Sequence, residues 1–277
     1  MATTNASRKA SVLNEEYFFE SYGVVVKLES NSSELLAIAK SAAETALVNH
    51  IIQTTNRKAL ETFGFEERPD GSCGFYQNGD EMSERSIQDT LPFFDSMLRI
   101  SVGRRSNQVV FIHAGVVGWK GRAIVVPGKS FSGKTTLVAE LVKLGAAYYS
   151  DEYAILDVAG QVHPYARPLA YRNKDGSKVK MIPADDLAGS IGDEGIPVGL
   201  VVITEFKKGT KWNPETLSIG EGVVEMVPHT LPMTENPEFS LDVLRKTLAG
   251  SVIVRGPRGG ANNFAKFLLE YVDTKRE

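Results

Sequence analysis

A chain of 277 residues with 42% hydrophobic and 23% charged residues has the make-up of an ordinary globular protein, one large domain or two small ones. That excludes a disordered, collagen-like or coiled-coil chain. Its 31 basic and 34 acidic residues leave a net charge of −3, so neither nucleic acid nor an anionic membrane is an expected partner. The single cysteine, Cys73, excludes an intramolecular disulfide framework and a Cys-rich zinc site. No signal-like N-terminal run and no apolar stretch of about 18 residues occurs, which predicts a cytoplasmic location.

Residues 1–14 are polar, small and unpatterned, and read as a loose tail. Tyr17 to Leu28 reads as one strand-like run, and Asn31 to Glu34 as an N-cap signal. Leu35, Ile38, Ala42, Thr45 and Ala46 share one helical face, predicting a helix to about His50. Glu61 to Met82 reads as a hairpin turned by Pro69-Asp70-Gly71. Ser83-Glu84 opens a second helix to about Val102, with Pro92 as a kink or a late start. These residues, 15–105, form a small α+β N-terminal domain.

After Arg104-Arg105 the pattern changes, and residues 106–277 read as an α/β domain. Val109–Ile112, Gly115–Trp119 and Arg122–Val126 are short apolar runs; Thr135–Leu144 is amphipathic; Tyr153–Leu156 and Val198–Thr204 are further strands. Gly256 to Gly260 is a glycine-rich loop without a phosphate-binding pattern, read as opening a last helix from Asn262 to Tyr271.

The chemistry sits at Gly128-Lys129-Ser130-Phe131-Ser132-Gly133-Lys134-Thr135, which is G-x-x-x-x-G-K-[ST], the P-loop pattern. A buried strand precedes it and an amphipathic helix follows, the context the motif needs. Its glycines let backbone N–H groups turn toward phosphate oxygens, and the helix N-terminus adds about half a positive charge. Lys134 reaches the β- and γ-phosphates, Thr135 is the expected Mg2+ ligand, and Thr136 helps hold the α-phosphate. ATP and Mg2+ are therefore the expected cofactors, although the motif does not separate ATP from GTP.

Asp151-Glu152 opens the next strand. Paired acids there suit a metal ligand plus a general base that takes a proton from an attacking hydroxyl; which acid does which stays open. His113 ends an apolar run beside the P-loop strand, a place where a lone histidine is more often a packed core residue. Arg167 and Arg172 follow the acids and could reach a phosphate or the acceptor, or form surface salt bridges. Asn173 to Lys180 is a polar, basic stretch, read as a solvated loop or a cover for the acceptor site. His50 and His229 have no partner pattern.

Three segments, Ile112-His113-Ala114, Gly128–Thr136 and Ser150–Tyr153, together resemble the HPr kinase/phosphorylase superfamily, more closely its short HPr kinase-like relatives. The stretch His163–Arg172 is similar to the Pro/Arg-containing segment of those relatives. The resemblance covers about residues 107–175. It implies a P-loop α/β core shared with phosphoenolpyruvate carboxykinase and transfer of the γ-phosphoryl group of ATP to a hydroxyl, often a serine of a peptide or protein, or of a small molecule. It further implies that Lys134 holds phosphate, Thr135 magnesium, that Asp151 is base or metal ligand, and that His113 assists. Relatives of this fold commonly assemble, so homo-oligomerisation stays open. The departures are Glu152 in place of an aspartate, the bulky Lys129-Ser130-Phe131, the missing Arg-Gly signature and an unrelated N-terminal region; HPr itself is not the implied substrate. The alternative reading is an ATPase or a nucleotide-binding regulatory module with little phosphotransfer, with Phe93-Phe94 as its partner surface.

Overall fold

A computed structural model describes residues 13–129, 132–172 and 179–274. It is a mixed α/β protein with several sheets, and its contacts divide it into two compact units, at Arg105/Ser106. No helix of the described residues is long and apolar enough to cross a membrane.

The first unit contains β1 (Glu15–Ser21), β2 (Val24–Ser30), α1 (Ser33–Ala46), β3 (Ile52–Gln53), β4 (Glu61–Glu67), β5 (Cys73–Gln77), β6 (Asp80–Arg85) and α2 (Ile87–Arg105). Its sheet runs β3-β1-β2-β4-β5-β6 and is antiparallel except for the β2–β4 pair, which α1 connects. The expected single strand over Tyr17–Leu28 is instead a hairpin. Tyr22 and Gly23 both take positive φ (49° and 80°), the two-residue turn that matches strand twist. Asn78-Gly79 makes a second such turn, so the expected hairpin over 61–82 has three strands. That third strand replaces the expected helix start at Ser83. Helix α2 opens at Ile87, where the Ser86 hydroxyl accepts from Asp89 N at 3.2 Å, and it runs on through Pro92. Phe94 is fully buried and stands edge-on to Phe63 and Phe65 (5.3 and 5.0 Å), so it is core rather than a partner surface.

The second unit contains β7 (Val110–Trp119), β8 (Arg122–Pro127), α3 (Lys134–Lys143), β9 (Ala147–Ser150), β10 (Tyr153–Leu156), β11 (Gln161–His163), β12 (Leu169–Arg172), β13 (Val179–Ile182), β14 (Ile196–Ile203), β15 (Glu215–Thr216), α4 (Ile219–Met226), α5 (Pro237–Ala249), β16 (Val252–Arg255) and α6 (Ala261–Thr274). The large sheet has the order β11-β10-β7-β8-β14-β16-β15, with β9 also on β7; β12 and β13 form a separate hairpin. Strand β14 lies between β8 and β16 and pairs parallel with both, so the C-terminal ends of the three share one edge.

Alternation along these strands builds three layers. Ile124, Val126, Leu200 and Val202 face Leu137, Leu141, Phe264 and Leu268 of α3 and α6. Val125, Val201 and Ile253 face Met226, Leu244 and Leu248 of α4 and α5. Each fully buried leucine of α3 is worth about 1.5–3 kcal/mol. Leu137 and Leu141 thus fix where the helix begins. Its far end closes with Gly145 at φ 97°, where Gly145 N donates to Val142 O and Ala146 N to Leu141 O.

Candidate functional site

The Gly128–Thr135 loop joins the C-terminal end of β8 to the N-terminus of α3, at the shared edge of the parallel strands. This is where ligands bind in open α/β sheets. Gly133 is the N-cap and takes φ 84°, a left-handed conformation that an L side chain adopts at a cost. Lys134 is 6% exposed, and its Nζ donates to Gly128 O at 2.6 Å and Lys129 O at 2.8 Å. Burial pushes this ammonium down to about 8, against the opposing pull of Asp151 and Glu152. The Ser132 hydroxyl is buried without a hydrogen-bond partner among the described residues. Ser130 and Phe131 lie outside the described residues. Lys129 and Thr136 are exposed.

Strands β9 and β10 are two parts of one line of chain running antiparallel to β7. Ser150 pairs with Val116 and Tyr153 with His113, in unbroken register across the acids between them. Asp151 therefore lies opposite Gly115. A Cβ there would come within 2.6 Å of Val138 Cγ2 and 3.7 Å of Lys134 Cβ. The missing side chain lets the first turn of α3 approach the sheet and meet Asp151. The Thr135 hydroxyl donates to Asp151 Oδ2 at 3.2 Å. Tyr148 shares its hydroxyl between Arg167 O at 2.8 Å and Asp151 Oδ1 at 3.3 Å. Burial and the neighbouring Glu152 charge raise Asp151 to about 6, against the hydrogen bonds from Thr135, Tyr148 and the Ala170 backbone. Glu152 lies 3.8 Å from Arg167 Nε, and its carbonyl accepts from Ala114 N. The Arg172 backbone pairs with Val179 in the β12–β13 hairpin; its side chain lies outside the described residues, as does most of the 173–180 stretch.

His113 borders the loop through its backbone, its carbonyl accepting from Gly128 N at 3.2 Å, and its ring lies 5.8 Å from that of Tyr153. Thr135 and Asp151 are thus brought into contact, within the electrostatic reach of Lys134, with Glu152 and Arg167 beside them.

Three residues at this site carry no sequence signal. Tyr148 is a strand residue whose hydroxyl happens to reach the acid pair. His229 sits in a short turn that a bridge between Ile112 and Thr230 fastens to β7. Burial and the charges of Lys134 and Lys129 lower its pKa. The third is Arg258, in the Gly256–Gly260 loop read from sequence as a helix opener. The loop does precede α6, yet Arg258 Nη2 donates to Gly133 O at 2.9 Å.

Among the described residues no group of three or more His, Cys, Asp or Glu converges as a metal site. Any divalent ion here would be held by one or two carboxylates, a hydroxyl and oxygens of the ligand, the manner in which Mg2+ is usually bound.

No family model matches the chain, and no curated protein matches it. Solved structures do match. One is the Hpr(Ser) kinase/phosphatase from Coxiella burnetii, 14% identical, with a TM-score of 0.36 over 60% of this chain and 95% of that chain. The likeness is distant.

Proposed function

We propose that the chain is a P-loop phosphotransferase that moves the γ-phosphoryl group of ATP to a hydroxyl acceptor, a serine of a peptide or protein or a small-molecule alcohol. The observation that carries this reading is the contact of Thr135 Oγ1 with Asp151 Oδ2 at 3.2 Å, beside a buried lysine at the N-terminus of α3. A buried ammonium and a half-buried carboxylate whose pKa burial raises are both costly to keep. A site that only packed a strand against a helix would need neither.

The residues present fit Mg-ATP. The Ser132 hydroxyl is an orphaned donor inside the loop, and Thr135 with the acid pair supplies hard oxygen ligands. Bound Mg-ATP supplies the transferable phosphoryl group and the neutralising charge. The chain's own residues do the rest. Lys134 and the N–H groups of the first turn of α3 bind the phosphate oxygens. Thr135 and the acid pair would hold the metal, with Glu152 as the carboxylate left for it when Asp151 serves as base. Asp151, oriented by Thr135 and Tyr148, would receive the proton of the acceptor hydroxyl as its oxygen bonds to the γ-phosphorus and the bond to the bridging oxygen breaks, releasing ADP. Arg167, which lies beside Glu152, is assigned to the acceptor, as is Arg172 by its place in the sequence, and the His113 carbonyl ties β7 to the start of the loop at Gly128.

The test is single-turnover transfer of labelled phosphate from ATP to peptide and small-molecule hydroxyl acceptors. Label appearing in an acceptor at a rate above hydrolysis is the expected result. Hydrolysis at the same rate with or without every acceptor would make the protein an ATPase, and tight ATP binding with no product would make it a nucleotide-gated module.

A further inference from the structure

Arg258 is 3% exposed although it lies on the loop between β16 and α6. That loop is zipped to the one following β14: Lys207 N donates to Arg258 O at 2.8 Å and Arg258 N to Glu205 O at 2.9 Å. The two loops leave the C-terminal ends of β14 and β16, which run parallel to β8, so they rise on the same edge as the loop that follows β8.

The guanidinium is packed between aromatic rings, with Phe206 and Phe264 centroids each 5.9 Å away. Its Nη2 donates to Gly133 O at 2.9 Å and its Nη1 to Gly259 O at 3.1 Å. Its Nε has no partner among the described residues, and no carboxylate there pairs with it. The group stands over the bare Cα of Gly133, where a Cβ would lie 2.6 Å from Nη2.

This is an expensive way to hold two carbonyls. A neutral donor would do the same without burying a charge. Placing a cation beside Gly133, the N-cap of α3, sets it at the positive end of the helix, the wrong sign for stability. Two sources of positive potential, the helix N-terminus and the guanidinium, meet there, and among the described residues no acid balances Arg258. Burial alone lowers its affinity for its proton. Such an arrangement is explained by a polyanion.

We propose that Arg258 is a second fixed cation of the phosphate site, which clamps the Gly133 carbonyl and whose unmatched charge is neutralised by a bound polyphosphate. The proposal rests on the nucleotide reading and goes further in naming a residue, 125 positions from Gly133, that the P-loop pattern does not contain. The phosphate chain, rather than the base or ribose, is the ligand part it serves.

The test uses the full chain, with inorganic tripolyphosphate and MgATP as titrants in calorimetry and in thermal shift. Arg258→Gln keeps an N–H donor for Gly133 O without the charge; Arg258→Met removes both. Both variants are expected to bind tripolyphosphate at least 10-fold more weakly than wild type and to lose most of its thermal shift. The unliganded melting temperature of Arg258→Gln should not fall, a combination that a purely structural brace would not give. Wild-type affinity should also fall more steeply with added salt than that of Arg258→Gln. Should Arg258→Met not fold, the Gln variant decides. Tripolyphosphate binding by Arg258→Gln equal to wild type would overturn the proposal and leave the nucleotide reading intact. If wild type bound neither titrant, the nucleotide reading would fail, and the Arg258 assignment with it.

Discussion

Replacing Lys134 with methionine should abolish nucleotide binding and at the same time make the free protein more stable. Methionine keeps the apolar stem and removes the ammonium. In the free protein burial moves Lys134 from 10.5 to about 8, and at about 1.4 kcal/mol per pH unit the charged form is disfavoured by about 3 kcal/mol. The variant loses the Nζ bonds to Gly128 O and Lys129 O, each worth about 1 kcal/mol net, but Lys129 is exposed and water can replace its share. The net expectation is a gain of about 2 kcal/mol, or a melting temperature about 4–8 °C higher for a unit of this size. The gain has a pH signature. The folded-state value lies below the unfolded one, so the charge weakens the wild type fully below about pH 8. That penalty fades as pH rises toward 10.5, where the lysine is neutral in both states. Denaturant unfolding of metal-free, nucleotide-free protein at pH 7 and pH 10 measures it: the variant should lead at pH 7 and the gap should close by pH 10. A variant less stable than wild type by the same margin at both values would refute the reasoning.

Asp151→Asn should keep a contact with Thr135 and bind MgATP, while phosphoryl transfer falls by about 10²–10⁴-fold in single-turnover assays; transfer at the wild-type rate would remove Asp151 as the base. Gly133→Ala asks a side chain to adopt φ 84° and to sit 2.6 Å from Arg258 Nη2, so it should lower the melting temperature and weaken ATP binding together. A chain beginning at Ser106 should remain folded and bind ATP by fluorescence titration but lose transfer to its acceptor, which assigns acceptor recognition to residues 15–105; full transfer by the truncated chain would reverse that assignment.

Much of this site was legible because its parts are local. The strand, glycine loop and amphipathic helix lie within about twenty consecutive residues, and Leu137, Leu141 and Gly145 mark the helix by spacing alone. The acids were legible because they open a strand immediately after that helix. What sequence could not carry is the partner of each group. Gly115 matters because an absent Cβ lets Val138 and Lys134 approach β7 where Asp151 lies opposite, a relation set by register with β7 rather than by neighbours in the chain. Arg258 meets Gly133 across 125 positions, and nothing in Gly256–Gly260 signals it. The errors were local too. Tyr22-Gly23 was hidden inside an apolar run because tyrosine is a strand former, though here it takes positive φ. Ser83-Glu84 looked like a cap, but pairing with β5 kept that segment extended to Arg85.

The central claim is that Lys134, Thr135 and Asp151 form one Mg-ATP phosphotransfer site. Its most direct test is calorimetric titration of MgATP into wild type, Lys134→Met and Asp151→Asn, with labelled phosphate followed in the same samples. The account expects saturable binding by wild type and Asp151→Asn, no binding by Lys134→Met, and transfer by wild type alone. Equal MgATP binding by wild type and Lys134→Met, or none by either, would contradict it.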